Sequence, residues 1–175
     1  MLHYRIMTAE ESQKIKDIDR SEYIPFIYEI ENGKMTAIPQ NHECQSWDET
    51  TFQEIKTRFE YELSQGGTAY GAFDGERLAG FGVLAHQWRG EEQDQLQLDL
   101  MYVSRSYRRQ GIGSRIIELL EEEARALGAK WLYISSTETE SAVSFYQSHG
   151  GALTSQVDEE LFSKEPKDIH MLKKL

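Results

Sequence analysis

Cysteine is nearly absent. Cys44 stands alone, so no disulfide framework can staple the chain. Proline is scarce, with 3 residues in 175, and no repeat or low-complexity tract is present, which excludes fibrous and proline-rich disordered classes. No apolar run approaches the roughly 20 residues that a bilayer-crossing helix requires. Met1 to Glu10 carry no signal-like apolar stretch, so a cytoplasmic location is the expectation. Basic charge is in deficit: 19 Lys and Arg face 30 Asp and Glu, for a net −11. Such a chain repels a nucleic-acid backbone outside local basic patches and attracts a cationic small molecule or peptide. What remains, 39% hydrophobic and 28% charged residues, suits one globular domain over residues 1–175.

Strand and helix signals are mixed along the chain. His3 to Met7 reads as a strand. Thr8 and Glu11 are spaced as a capping box for a helix ending near Asp19, with Ile15 and Ile18 as its apolar face. Residues 21–47 carry Tyr23, Phe26, Tyr28 and Trp47 among Pro25, Pro39 and the turn signal Glu31-Asn32-Gly33. They read as a mostly irregular segment, either an aromatic-anchored loop or an acceptor-side wall. Asp48 should cap a helix whose Phe52, Ile55, Phe59 and Leu63 recur at spacings of three and four, up to Gly66-Gly67. Asp74-Gly75-Glu76 separates two apolar runs, 68–73 and 77–86, as in a hairpin. A further strand spans 95–103. The clearest helix runs from Gly111 to Leu127 with Ile112, Ile116, Leu119, Leu120 and Ala124 on one face, and the acidic run Glu121-Glu122-Glu123 reads as its solvated side. A strand over 130–135, a helix capped by Thr137 and Glu140 and closed by Gly150, and strands near 152–157 and 169–172 follow. The fold class is α+β (three-layer α/β): a mixed, largely antiparallel central sheet flanked by helices.

The sharpest chemical signal is Arg108-Arg109-Gln110-Gly111-Ile112-Gly113-Ser114, set between a strand and the long helix. A helix N-terminus presents free N–H groups and the positive end of the helix dipole, which together attract an anion. Arg105, Arg108 and Arg109 concentrate positive charge in an acidic chain. Arg115 breaks a Walker A pattern and Ile116 breaks a dinucleotide fingerprint. The five histidines show no metal spacing, and Cys44 has no activating neighbour, so neither a metal nor a thiol nucleophile is expected.

The pattern Arg108-x-x-Gly111-x-Gly113 after Leu100-Met101-Tyr102-Val103 resembles the acetyl-CoA pyrophosphate loop of the GNAT N-acetyltransferase superfamily. Ala142-Val143-Ser144-Phe145-Tyr146, with Gly150 closing the helix about thirty residues downstream, resembles the family's later helix. The likeness covers Ala69 to Gly150. Thr139 stands where relatives often have Asn, and Gly151 where an aromatic residue often follows.

The resemblance implies the family fold and acetyl-CoA as co-substrate. It places coenzyme contacts at Met101, Tyr102, Val103, Arg108, Arg109, Gln110, Gly111, Ile112, Gly113, Ser114, Thr139, Ala142 and Tyr146. Tyr146 is the implied acid for the leaving thiolate, since a phenol at about 10 and a thiol at about 8.5 exchange a proton near balance. Strand alternation puts Leu96, Leu98, Leu100 and Tyr102 on one face, and Gln97, Asp99, Met101 and Val103 on the other. Asp99 there is either the base that deprotonates an amine, directly or through water, or a structural hydrogen bond or ion pair; His86 and Glu91 are poorer bases. The acceptor would be a cationic primary amine on a small molecule or peptide, attacking directly in a ternary complex. A catalytically weak acetyl-CoA-binding regulatory module is the alternative, and the oligomeric state, a homodimer included, stays open.

Overall fold

A computed structural model describes all of residues 1–175. Its strands are β1 (Leu2–Ile6), β2 (Glu22–Glu31), β3 (Lys34–Cys44), β4 (Thr68–Asp74), β5 (Arg77–Arg89), β6 (Gln95–Val103), β7 (Trp131–Ser136), β8 (Ala152–Leu153) and β9 (Ile169–Lys174). The helices are α1 (Glu49–Ser64), α2 (Ile112–Ala126), α3 (Glu140–Ser148) and α4 (Glu159–Lys164). Seven strands form one mixed sheet in the order β1-β4-β5-β6-β7-β9-β8, antiparallel throughout except for β6 beside β7. No helix is long and apolar enough to cross a membrane.

Both faces of the sheet are covered, so two cores form. One gathers Ile112, Ile116, Leu120 and Ala124 of α2 against Leu96, Leu98, Leu132 and Ile134. The other gathers Phe52, Ile55 and Phe59 of α1, with Ile15 and Ile18, against Phe81, Val83 and Leu100. Both helices follow from their three-and-four spacing. Asp48 caps α1 as expected, accepting from the Thr51 N–H at 2.8 Å.

Several local expectations change. Thr8 and Glu11 do form a capping box, but residues Ala9–Asp17 wind as a 3-10 helix. Residues 21–47 are mainly an ordered two-stranded ribbon, β2 with β3, and not a loop. Asn32 (φ 51°) and Gly33 (φ 77°) make its reversing turn, as the turn signal allowed. Pro25 and Pro39 flank the one register shift, where Asn41 also takes a positive φ, so the prolines break a ladder that is already broken. The strand near 152–157 is only Ala152–Leu153, and α4 was not foreseen. α3 is capped by Thr139 instead of Thr137. Glu121 is buried, not solvated, because Lys173 donates to it at 2.5 Å and Arg125 at 3.4 Å.

The change that matters most lies in β6. Leu100 pairs Val83 and Leu98 pairs Leu84, so Asp99 is an extra residue opposite no partner. This bulge reverses the alternation. Met101 and Val103 pack on the α2 side with Leu96 and Leu98, whereas Leu100 and Tyr102 turn to the α1 side. The face assignment made from simple alternation therefore fails from Leu100 onward, while Asp99 keeps the expected face, beside Arg58 of α1.

Candidate active site

The parallel pairing of β6 and β7 runs from Gln95↔Trp131 to Leu98↔Ile134 and then stops. Beyond it β6 continues to Val103 and β7 to Ser136, so the two strands part and open a cleft of about 640 Å³. Asp99, Met101 and Tyr102 line one wall, Ser135 to Thr137 another, and Ala142 and Tyr146 of α3 approach from the side.

Parting the strands frees main-chain groups. The Ser104 N–H donates to the Ala79 carbonyl on β5 at 2.8 Å. Successive main-chain groups of a strand alternate sides, so those of Met101 and Val103 turn to the cleft. The Val103 carbonyl is already taken, since Arg108 Nε donates to it at 2.9 Å. Both groups of Met101 and the N–H of Val103 stay available to a ligand laid along the strand edge.

The turn before α2 is the second free surface. None of the main-chain N–H groups from Arg109 to Ser114 has an acceptor within the chain. Arg109 (φ 61°) and Gly111 (φ 83°) both take the left-handed conformation, which curls successive N–H groups toward one point, as in an anion nest. Gly111 is needed for that angle. Gly113 is needed for space: a Cβ there would stand 2.9 Å from Phe145 Cε1. Its missing side chain serves α3 packing, and not only the approach of an anion.

Side chains of the turn are mostly committed elsewhere. Arg108 also donates to the carbonyls of Ser21 at 2.8 Å and Asp19 at 3.3 Å. Arg105 pairs with Glu43. Gln110 donates to the Ser106 carbonyl at 3.3 Å, and Ile112 is core. Ser114 Oγ lies 2.9 Å from His149 Nε2, which ties α2 to α3. Arg109 alone among the three arginines makes no contact of this kind. Thr139 spends its hydroxyl on the Ala142 N–H at 3.4 Å as the α3 cap. Gly151 has a packing reason too, because a Cβ there would lie 2.9 Å from the Tyr146 carbonyl.

Tyr146 faces the cleft and its phenol has no hydrogen-bond partner. Burial first, and then the neighbouring Tyr102 and Asp168, push that phenol well above its ordinary value. It therefore stays protonated and able to donate. Asp99 also lines the cleft, where Arg58 of α1 donates to Asp99 Oδ1 at 2.5 Å. The ion pair, one of the alternatives for Asp99, is thus present in the structure. His86 Nδ1 lies 2.6 Å from Glu62 Oε1, while Glu91 lies outside the cleft.

Sequence reasoning missed Asp168. It sits just before β9, half-buried in the cleft wall, and accepts from Ser135 Oγ at 2.8 Å. Burial raises its carboxyl to about 6, against the Ser135 hydrogen bond, with Glu165 and Glu138 adding to the rise. No local pattern marks a lone acid between Lys167 and Ile169; only the β7–β9 pairing brings it to the site. Glu54, Glu62, Glu160 and Glu165 share the cleft with Arg58, Arg89 and Lys164, so acids outnumber cations at its mouth.

The known proteins similar to this chain share this architecture. The model of the acetyltransferase (GNAT) family matches residues 24–151. No curated protein matches the chain by sequence. Among solved structures, nourseothricin acetyltransferase is 18% identical, with 99% of this chain and 98% of that one covered at a TM-score of 0.73. A streptothricin acetyltransferase from Bacillus anthracis, solved with acetyl coenzyme A, is 16% identical over 100% and 99% at 0.72. The PaiA N-acetyltransferase of Thermoplasma acidophilum, solved with coenzyme A, is 16% identical over 100% and 99% at 0.66. A family match across most of the chain, on a sheet split beside an amide-lined turn, carries one conclusion: this protein belongs to the acetyltransferase (GNAT) family.

Proposed function

We propose that the protein transfers the acetyl group of acetyl-CoA to a primary amine of a cationic small molecule or peptide, by direct attack in a ternary complex. The observation that carries this reading is the row of N–H groups from Arg109 to Ser114 without acceptors, beside a split strand edge. The two surfaces suit the two ends of one ligand. The amides at the α2 N-terminus suit a diphosphate, and the free groups of Met101 and Val103 suit the amide-bearing arm that follows it. Tyr146 then stands in the cleft with a proton to give to the departing sulfur. The acidic mouth suits an acceptor that carries positive charge. Asp99, paired with Arg58, adds no net charge to that mouth.

Calorimetric titration tests the anchor. Acetyl-CoA is expected to bind at least about 100-fold more tightly than acetyl-pantetheine, which lacks the diphosphate, because charged hydrogen bonds contribute roughly 1.5–3 kcal/mol each. Equal affinity would refute the amide cradle. Acetyl-CoA at a hundred times its dissociation constant should stabilise the fold by about 2.7 kcal/mol.

Thiol release measured across nourseothricin, streptothricin, spermidine, aminoglycosides, lysine and basic peptides tests the acceptor side. A preference confined to acidic acceptors would defeat the charge argument. Binding of acetyl-CoA with no amine-dependent thiol release would favour the regulatory module.

Arg108→Ala separates two roles for that side chain. Its guanidinium holds three carbonyls, at Val103, Ser21 and Asp19. Thermal melting of the variant should fall by several degrees, at about 2–4 °C per kcal/mol for this size. Acetyl-CoA affinity, read by titration below the melting range, should change less than tenfold.

A further inference from the structure

Every carboxylate of the cleft wall but one is either exposed or lies against an Arg, Lys or His side chain. Asp99 is held by Arg58, Glu62 lies against His86, and Glu160 is bound by Arg89 and Lys164. Glu54 and Glu165 are exposed. Asp168 is half-buried, has no ion-pair partner, and receives one hydrogen bond, from Ser135 Oγ to its Oδ2. Its Oδ1 has no partner in the chain. It shares the cleft with Tyr146 and Tyr102, close enough that each tyrosine senses its charge.

We propose that Asp168 is the proton acceptor for the attacking amine, a role that the sequence pointed toward Asp99. This rests on the acetyltransferase reading above. Ser135 holds Oδ2 of the carboxylate from β7, and Oδ1 of this cleft-lining residue is left without a partner. The bound ammonium first gives one proton to Asp168, which passes it to solvent through the cleft mouth. The neutral nitrogen then forms a bond to the thioester carbonyl carbon as the carbon–sulfur bond breaks. The nitrogen sheds its second proton, and Tyr146 gives its phenol proton to the sulfur and is reprotonated by the one just shed. The sum is one amide, one thiol and one proton released.

The groups that face Asp168 from each side bear on its titration. They are Ser135 of β7, Glu138 before α3, Tyr146 of α3, Arg58 of α1, Tyr102 of β6, and Glu165 at the end of α4. Burial and the two glutamates disfavour its charge, and Ser135 and Arg58 favour it. The net result is a carboxyl raised to about 6, which is neutral at acidic pH and a base above it. The linkage has a definite sign. A carboxyl raised on folding contributes stability that is present below the unfolded value and is lost as pH rises through about 6. The native charge at Asp168 is thus held at a cost at neutral pH, the pattern of a functional group in place of a stabilising one.

The test is a pH profile of kcat/KM for spermidine, or for the best amine of the panel, with kcat read beside it, for wild type, Asp168→Asn, Asp168→Glu and Asp99→Asn. Wild type should show an acidic limb breaking near pH 6. Asp168→Asn should lose at least a hundredfold in kcat at pH 8 and lose that limb, with acetyl-CoA affinity unchanged by calorimetry. Asn can still accept from Ser135, so its melting temperature at pH 8 should be equal to or above wild type. Asp168→Glu should recover part of the rate, and Asp99→Asn should keep the limb. An intact limb in Asp168→Asn overturns the assignment while leaving the acetyltransferase reading standing. A lower melting temperature at pH 8 with an unchanged profile also overturns it, in favour of a structural role. No amine-dependent thiol release from wild type overturns both.

Discussion

Tyr146→Phe should lower kcat by at least a hundredfold while acetyl-CoA binding stays within a few fold. The phenol oxygen is the only atom removed, and nothing in the chain depends on it, because it makes no hydrogen bond. The ring itself stays packed edge-on to Phe145 at 5.3 Å, so α3 should keep its place. What is lost is the donor proposed for the leaving thiolate. General acid catalysis contributes typically 10²–10⁴-fold, which sets the size of the expected fall. Single-turnover kinetics with calorimetric affinities would separate the two effects. If turnover is unchanged, water or another group protonates the sulfur and Tyr146 is only a cleft wall. Because burial holds the phenol above its ordinary value, the basic limb of the wild-type profile should not come from Tyr146 below about pH 10.

Gly113→Val should damage both stability and coenzyme binding. The first atom added lies 2.9 Å from Phe145 Cε1 and 3.1 Å from Cζ. Phe145 has little room to swing away, since its ring sits 4.5 Å from that of His149 and 5.3 Å from that of Tyr146. Either α3 moves off α2 or the amide turn opens. Overpacking of this kind costs about 1–3 kcal/mol, and the melting temperature should fall by roughly 2–4 °C for each. The same displacement shifts the Gly113 and Ser114 amides and breaks the Ser114–His149 contact, so acetyl-CoA affinity should fall more than tenfold. A second substitution, Phe145→Leu, trims the clash. The double variant should recover more than additivity allows, which is the signature of two residues in contact. Additive losses would mean that Gly113 is required by the ligand alone.

The two predictions fall on residues that the sequence already singled out, and this reflects how local their signals are. A glycine pair between a strand and a helix, an aromatic pair near a helix end, and a capping Asp48 each act within one or two turns of chain. Helices α1 and α2 were legible for the same reason: their apolar spacing is set by helix geometry, not by partners. The ribbon of β2 and β3 was less legible. Its turn at Asn32-Gly33 was visible, but with both strands at an edge the alternation that marks a half-buried strand is weak. Trp47 and Tyr102 pack at 5.0 Å, a contact between segments far apart in sequence that no local reading supplies.

By itself the sequence determined the class of fold, the family and the place of the glycine turn before α2, because propensity, capping and glycine spacing are properties of short stretches. Only the tertiary structure decided which groups stand in the cleft and how they are paired there. The Asp99 bulge exists because β5 and β6 must pair in a register that leaves one residue over. It also puts Asp99 in reach of Arg58, forty-one positions away. Asp168 becomes a cleft residue because β9 pairs with β7, and its proton affinity is set by how much water the surrounding elements exclude. Register, long-range ion pairing and desolvation are properties of the assembled molecule, and they have no signature in any short stretch of residues.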